Sequence, residues 1–151
     1  MKNIQITLLL IIGALTLFGF KLKQQSDLIQ IPCEEIKIKC TQSRHGNFII
    51  NDYKEYKDLL TIRSPHPDCE NYELPPIDFN NYTLLGVVSS TAGCSNPIIS
   101  HFVTKNTNNE FILNVNSEQR GLCERNWRIK IWCLIPKVTD KSKIKFNIVK
   151  K

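Results

Sequence analysis

Tyr82-Thr83-Leu84-Leu85-Gly86-Val87-Val88 ("YTLLGVV", 82–88) carries apolar side chains at both parities. Successive residues of a strand point to opposite faces, so a run of this kind needs apolar cover on both sides. It reads as the central strand of a sheet covered on both faces, with a helix as one candidate cover. It leads directly into Ser89-Ser90-Thr91-Ala92-Gly93-Cys94-Ser95-Asn96-Pro97 ("SSTAGCSNP", 89–97), where three serines and a threonine surround one cysteine.

The segments on either side alternate with a period of two, the mark of strands with one face on a core. Phe111, Leu113 and Val115 take every second place, and Ile144, Phe146 and Ile148 do the same between Lys143, Lys145 and Asn147. Trp127, Ile129, Ile131, Cys133 and Ile135 form a wholly apolar face opposite Arg128 and Lys130. Ile36, Ile38 and Cys40 alternate with Glu35, Lys37 and Lys39, which predicts a further strand there. Ile98 to Val103 adds another, with a hairpin turn expected over Thr104–Asn109.

A helix is predicted from Tyr53 to Ile62: Asp52 followed by Glu55 fits a capping box, and Tyr53, Tyr56, Leu59 and Leu60 would share a face. Pro65 and Pro67 forbid its continuation, and Arg63 to Ile77 reads as a long loop. The expected fold is α+β: a mostly antiparallel sheet or small barrel of six to seven strands with one helix.

The chain opens MKNIQITLLLIIGALTLFGFKLK, with an apolar segment from Leu8 to Phe20. As a helix those residues reach roughly 20 Å, short of a hydrocarbon core of about 30 Å. Residues 1–21 therefore read as a signal peptide, or as an N-terminal membrane anchor, and residues 22–151 as a single globular domain. Either reading puts the domain outside the cytoplasm: periplasm, cell surface or secreted. The formal charge of +6 is concentrated at the C-terminus, in Lys137, Lys141, Lys143, Lys145, Lys150 and Lys151. These read as a solvated edge strand and tail, with lysines protecting the edge. No aromatic residues interleave with them as nucleic-acid stacking would require, so no nucleic acid is expected as a partner.

Six cysteines, Cys33, Cys40, Cys69, Cys94, Cys123 and Cys133, lie beyond the apolar segment. An even number in an exported chain implies disulfides, with fifteen connectivities open to six. Cys94 and Cys123 each lie in a loop near a glycine (Gly93, Gly121) and beside a strand, which favours their pairing. Cys69 in the proline loop is then assigned to Cys40, and Cys33 to Cys133.

A serine nucleophile in 89–97 would need a base, an orienting acid and an oxyanion hole. The histidines His45, His66 and His101 stand in unrelated contexts, and His101 falls inside a strand. A nucleophilic Cys94 would need a free thiolate, which disulfide formation removes. His66, Asp68 and Cys69 in "HPDC" match no zinc spacing. Glu34 and Glu35 diverge as strand neighbours, and Asp68, Glu70 and Glu73 would converge only through the fold. Asn81-Tyr82-Thr83 is a glycosylation sequon that leads into the buried strand. Trp132 and Tyr72 could anchor a ligand, although Trp132 fits better beneath a covering layer. No catalytic, cofactor-binding or metal-binding residue is assigned.

The succession "FIINDYKEYKDLL" (Phe48–Leu60), "PPIDFNNYTLLGVVSSTAGC" (Pro75–Cys94) and "GLCERNWRIKIWCLIPKV" (Gly121–Val138) resembles small exported proteins of Bacteroidetes-type bacteria. More distantly, the order of strand, helix, Asp78-Phe79, strand, Gly93 turn, paired strands and Pro136-Lys137 resembles the C-terminal domain of the protease-complex-associated polypeptide PrcB of spirochaetes. The chain departs from that pattern at Gly93-Cys94, where a glycine-aromatic pair would stand. The resemblance implies an accessory surface protein and no catalyst. The expected function is thus an exported, non-enzymatic domain that binds or stabilises another envelope or secreted protein, with contact to a membrane only through the N-terminal segment. The alternatives are a secreted hydrolase using loops 89–97 and 121–126, and a carbohydrate or small-ligand binding module.

Overall fold

The computed structural model describes residues 28–40, 45–59 and 69–151; the N-terminal apolar segment, residues 60–68, His66 and Asp68 lie outside them. Its centre is a pair of eleven-residue antiparallel strands, β4 (Tyr82–Ala92) and β7 (Asn126–Pro136), in register from Tyr82 opposite Pro136 to Ala92 opposite Asn126. With β2 (Glu34–Glu35) and β3 (Gly46–Ile50) they form an inner sheet of order β2-β7-β4-β3. A second, outer sheet has the order β1-β5-β6-β8, from β1 (Ile29–Ile31), β5 (Ile98–Lys105), β6 (Phe111–Glu118) and β8 (Ile144–Lys150). The fold is α+β: among the described residues it is mostly strand with one short α-helix, and the sheets do not close into a barrel.

Both faces of the inner sheet are covered, as the run 82–88 demands. Leu85, Val87, Ile129, Ile131, Cys133 and Ile135 pack against Val103, Leu113, Val115 and Ile144 of the outer sheet. Leu84, Val88, Trp132 and Leu134 face the other way, under a cover of Ile38, Tyr56 and Leu59 with Phe48, Leu74, Ile77 and Phe79 around them. Each such side chain, fully buried, contributes about 1.5–3 kcal/mol, so losing either cover would leave a whole row of β4 and β7 in water. Gly86 lies opposite Trp132. A Cβ there would stand 2.2 Å from the indole Cζ3, so the absence of a side chain lets the ring lie across the sheet.

The cover is anchored by the helix α1 (Tyr53–Asp58). The Asp52 side chain accepts the Glu55 N–H, and Glu55 in return accepts the Asn51 N–H, the reciprocal cap expected from the sequence with its return arm one residue early. Tyr56 is fully buried, meets Phe79 edge-on and donates its hydroxyl to the Pro75 carbonyl at 3.0 Å; burial pushes its phenol pKa up. α1 is shorter than the expected 53–62, with Leu59 as its C-cap. Tyr53 is 56% exposed and outside the core, so the shared apolar face reduces to Tyr56 and Leu59 among the described residues.

Three further expectations are corrected. Ile36–Cys40 is not a strand: after Glu34–Glu35 the Ile36 N–H still donates to Trp132 O, and then the chain leaves the sheet to lie over it, ending at Cys40 with φ 59°. Alternation there reflects a segment that turns Ile36 and Ile38 onto the sheet as part of its cover, with no ladder pairing beyond the Ile36 bond among the described residues. The hairpin turn narrows to Asn106–Asn109, because Thr104 and Lys105 still pair with Ile112 and Phe111; Asn106 Oδ1 holds it by accepting the N–H groups of Asn108 and Glu110. Finally, the described residues form eight strands, and β6 runs parallel to β8 because β7, between them in sequence, belongs to the other sheet.

Candidate functional site: the stapled arches

The chain crosses between the sheets repeatedly. β1 passes to β2 through Pro32 and Cys33, β4 to β5 through 93–97, β6 to β7 through 119–125, and β7 to β8 through 137–143. The second and third crossings lie at the same end of the sandwich, since Ala92 and Asn126 are register partners. Each is an arch, and the Cys94–Cys123 disulfide (Cα–Cα 4.7 Å) ties the two together. Cys33–Cys133 pins the first crossing to the middle of β7, and Cys40–Cys69 joins the two segments of the cover. All six cysteines are bonded. Such a set of bonds persists in an oxidising setting outside the cytoplasm, so the chain is exported.

The arches are fixed at many points besides the disulfide. Gly93 N–H donates to Arg125 O (3.0 Å), Cys94 N–H to Arg120 O (2.6 Å) and the Trp127 indole N–H to Gly93 O (2.9 Å). Gln119 donates its N–H to Lys151 O at 2.7 Å and its side-chain amide to Gly121 O at 3.0 Å. Gly121 has φ 76°, and a Cβ there would stand 2.6 Å from Cys94 Sγ; the turn against the disulfide needs glycine for both reasons. On this frame Leu122 is 98% exposed. In the same arch and the strand it enters, the Arg125 guanidinium stacks 4.1 Å above the Trp127 ring. Arg120, Arg125, Lys150 and Lys151 outnumber Glu118 and Glu124 at this end, so its field is positive.

The sequence-derived candidates are dispersed. Cys94 is committed to Cys123. Ser89 and Ser90 lie within β4, opposite Ile129 and Arg128, and Ser95 sits exposed in the arch. His101 is in β5 opposite Val115, half-buried, and His45 precedes β3. Glu34 and Glu35 pair with Leu134 and Cys133 on opposite faces of β2. Cys69 is bonded to Cys40. Asn81 bonds Asp78 through its side chain, while Thr83 is buried with its hydroxyl donated to Asn51 Oδ1 at 2.6 Å, so the sequon is part of the fold's framework. Trp132 lies under the cover, and the Tyr72 hydroxyl accepts the Lys39 N–H. Among the described residues no group of three or more His, Cys, Asp and Glu side chains is placed to hold a metal ion, and no helix is long and apolar enough to cross a membrane.

Sequence reasoning missed Leu122 and the Arg125–Trp127 stack. The available signal was one leucine alone in the polar run "SEQRGLCERN" (117–126), flanked by glycine and cysteine. At the far end of the sandwich Lys137 and Lys141, expected as solvated tail residues, are fasteners: Lys137 Nζ donates to the carbonyls of Asn51 (2.7 Å) and Phe79 (2.6 Å), and Lys141 pairs with Glu55. No family model, curated protein or solved structure matches the chain, and the resemblance to PrcB rests on the motifs alone.

Proposed function

We propose that this chain is an exported, non-enzymatic domain that docks on another envelope or secreted protein through the arch Gln119–Arg125. The observation that carries this reading is Leu122, 98% exposed on a loop held by a disulfide, two glycines and several backbone hydrogen bonds. Ordering a loop on binding costs affinity, and a loop already fixed avoids that cost. An exposed leucine on an arch that also carries Arg120 and Arg125, the latter stacked on tryptophan, has the chemistry of an interface anchor with a charged rim. The partner would present an apolar pocket bordered by carboxylates. The bond between Cys94 and Cys123 supports the non-enzymatic part, because it consumes the thiol best placed to be a nucleophile.

A photo-crosslinking residue at position 122 tests this in the native envelope, with position 108 on the opposite hairpin as control. One discrete crosslinked protein is expected from 122 and none from 108, and the adduct should vanish when Arg120 and Arg125 are both replaced by Glu. A folded, oxidised protein that gives the same adducts from both positions, or none, overturns the reading.

A further inference from the structure

The four end strands of the two sheets differ in how they are protected. β1 and β2 have three and two residues, and β8 carries Lys145 and Lys150 with Lys143 just before it. Short length and lysines are the ordinary means of blocking edge-to-edge pairing. β3, "GNFII", has five residues with neither a charge nor a proline, and among the described residues β4 is its one strand neighbour. In an antiparallel ladder, alternate residues of such an end strand turn their N–H and C=O groups away from the sheet.

Beside β3 stands α1, and between them runs an open groove of about 380 Å³. It is lined on the strand side by Asn47, Phe48, Ile49 and Ile50, of which Phe48 and Ile50 face the cover, and on the helix side by Glu55, Asp58 and Leu59. This acidic rim is distinctive on a chain of net charge +6. One Glu55 oxygen is engaged by Lys141 and the other by the Asn51 N–H. Asp58, at the end of α1, is exposed.

We infer that the β3 edge and this groove receive an extended segment of a partner protein by strand addition. The segment's backbone pairs with β3, one apolar side chain enters the groove, and a lysine or arginine two residues away, on the same face, meets Asp58. The recognised pattern is apolar-x-basic. This extends the protein-binding reading to a second surface that shares no residue with the Gln119–Arg125 arch.

The test is a titration followed by backbone amide NMR, with a terminally blocked nine-residue probe that alternates threonine with groove-facing valine and lysine. Binding should shift the amides of Asn47 to Ile50 and of Asp58. Asp58→Lys should weaken the lysine probe at least tenfold and admit a probe with glutamate in place of lysine. N-methylation of the probe's strand-facing amides should abolish binding. The inference is overturned if the β3 amides do not move at millimolar probe, or if the N-methylated probe binds equally. It is also overturned if a photo-crosslinker at position 47, which lines the groove, reacts with residues 60–68 of its own chain in place of the probe. Any of these failures leaves the Leu122 crosslink of the proposed function intact, and loss of that crosslink leaves this titration intact.

Discussion

Gly86→Ala tests whether the inner sheet is built around Trp132. The added Cβ would stand 2.2, 2.5 and 2.9 Å from Cζ3, Cε3 and Cη2 of the indole, all closer than ordinary contact. The ring has little room to give, being 2% exposed with Phe48 packed against it at 5.5 Å between centroids. Overpacking of this kind costs about 1–3 kcal/mol, which at this chain length lowers Tm by roughly 3–10 °C. The cost should belong to the ring and not to strand propensity, since alanine is no worse a strand former than glycine. Leucine has no atoms beyond Cδ, so in a Trp132→Leu background the same Gly86→Ala change should cost little. The cycle, measured by guanidinium denaturation with circular dichroism on the four oxidised proteins, should give a coupling of about 1–3 kcal/mol. An equal cost in both backgrounds would refute the reasoning.

Cys94→Ser, Cys123→Ser and the double variant should each lose about 3.6 kcal/mol, the chain-entropy value for a separation of 29 residues, because each removes the same bond; a difference above about 1 kcal/mol between the two singles in urea melts would contradict this. Lys137→Met leaves the Asn51 and Phe79 carbonyls without their ammonium donor and should lower stability by about 1–3 kcal/mol, visible as a lower urea midpoint with unchanged slope; an unchanged midpoint would show that the lysine is merely a surface charge. The Lys141 ammonium, and next the Asn51 N–H, hold the Glu55 carboxyl below its ordinary value of 4.5. The unfolded chain therefore takes up that proton more readily, and the stability from Glu55 is complete above about pH 4.5 and lost as pH falls through the folded value. The Tm gap between wild type and Glu55→Gln should accordingly be widest at neutral pH and close on acidification, and a gap that is flat with pH would exclude the pair as its cause.

The apolar run 82–88 made the two-sided burial of β4 legible, since both parities of one strand had to be hidden. Trp132 under a cover followed from its place opposite the face of Ile129, Ile131 and Cys133. Cys94–Cys123 is the pair that loop position and the neighbouring glycines favour, while Cys40–Cys69 and Cys33–Cys133 agree with an assignment that rests only on the proline loop's need for a restraint and on what then remains. What alternation cannot carry is sheet membership. It shows that β6, β7 and β8 each have an apolar face, and nothing in that pattern says that β7 sits across the core while β6 and β8 lie side by side. Nor can it separate a ladder strand from a segment that forms part of a cover, as Ile36–Cys40 does.

The candidate site was less legible than the fold. Cys94 and its glycine stood out locally, but the exposure of Leu122 depends on how the 119–125 arch is tied to Gly93, Cys94 and Lys151, residues distant in sequence. The same holds for Lys137: its reach to Asn51 and Phe79 spans 86 and 58 positions. A basic tail and a structural lysine look alike until the ends of the sheets are brought together.

The central claim is that the turn after β4 is clamped by sulfur and serves as a rigid frame for Leu122. Mass-spectrometric mapping of the non-reduced, exported protein tests it directly. The account predicts no free thiol and the three linked pairs Cys33–Cys133, Cys40–Cys69 and Cys94–Cys123. A reduced Cys94, or a bond from it to any cysteine other than Cys123, would contradict it.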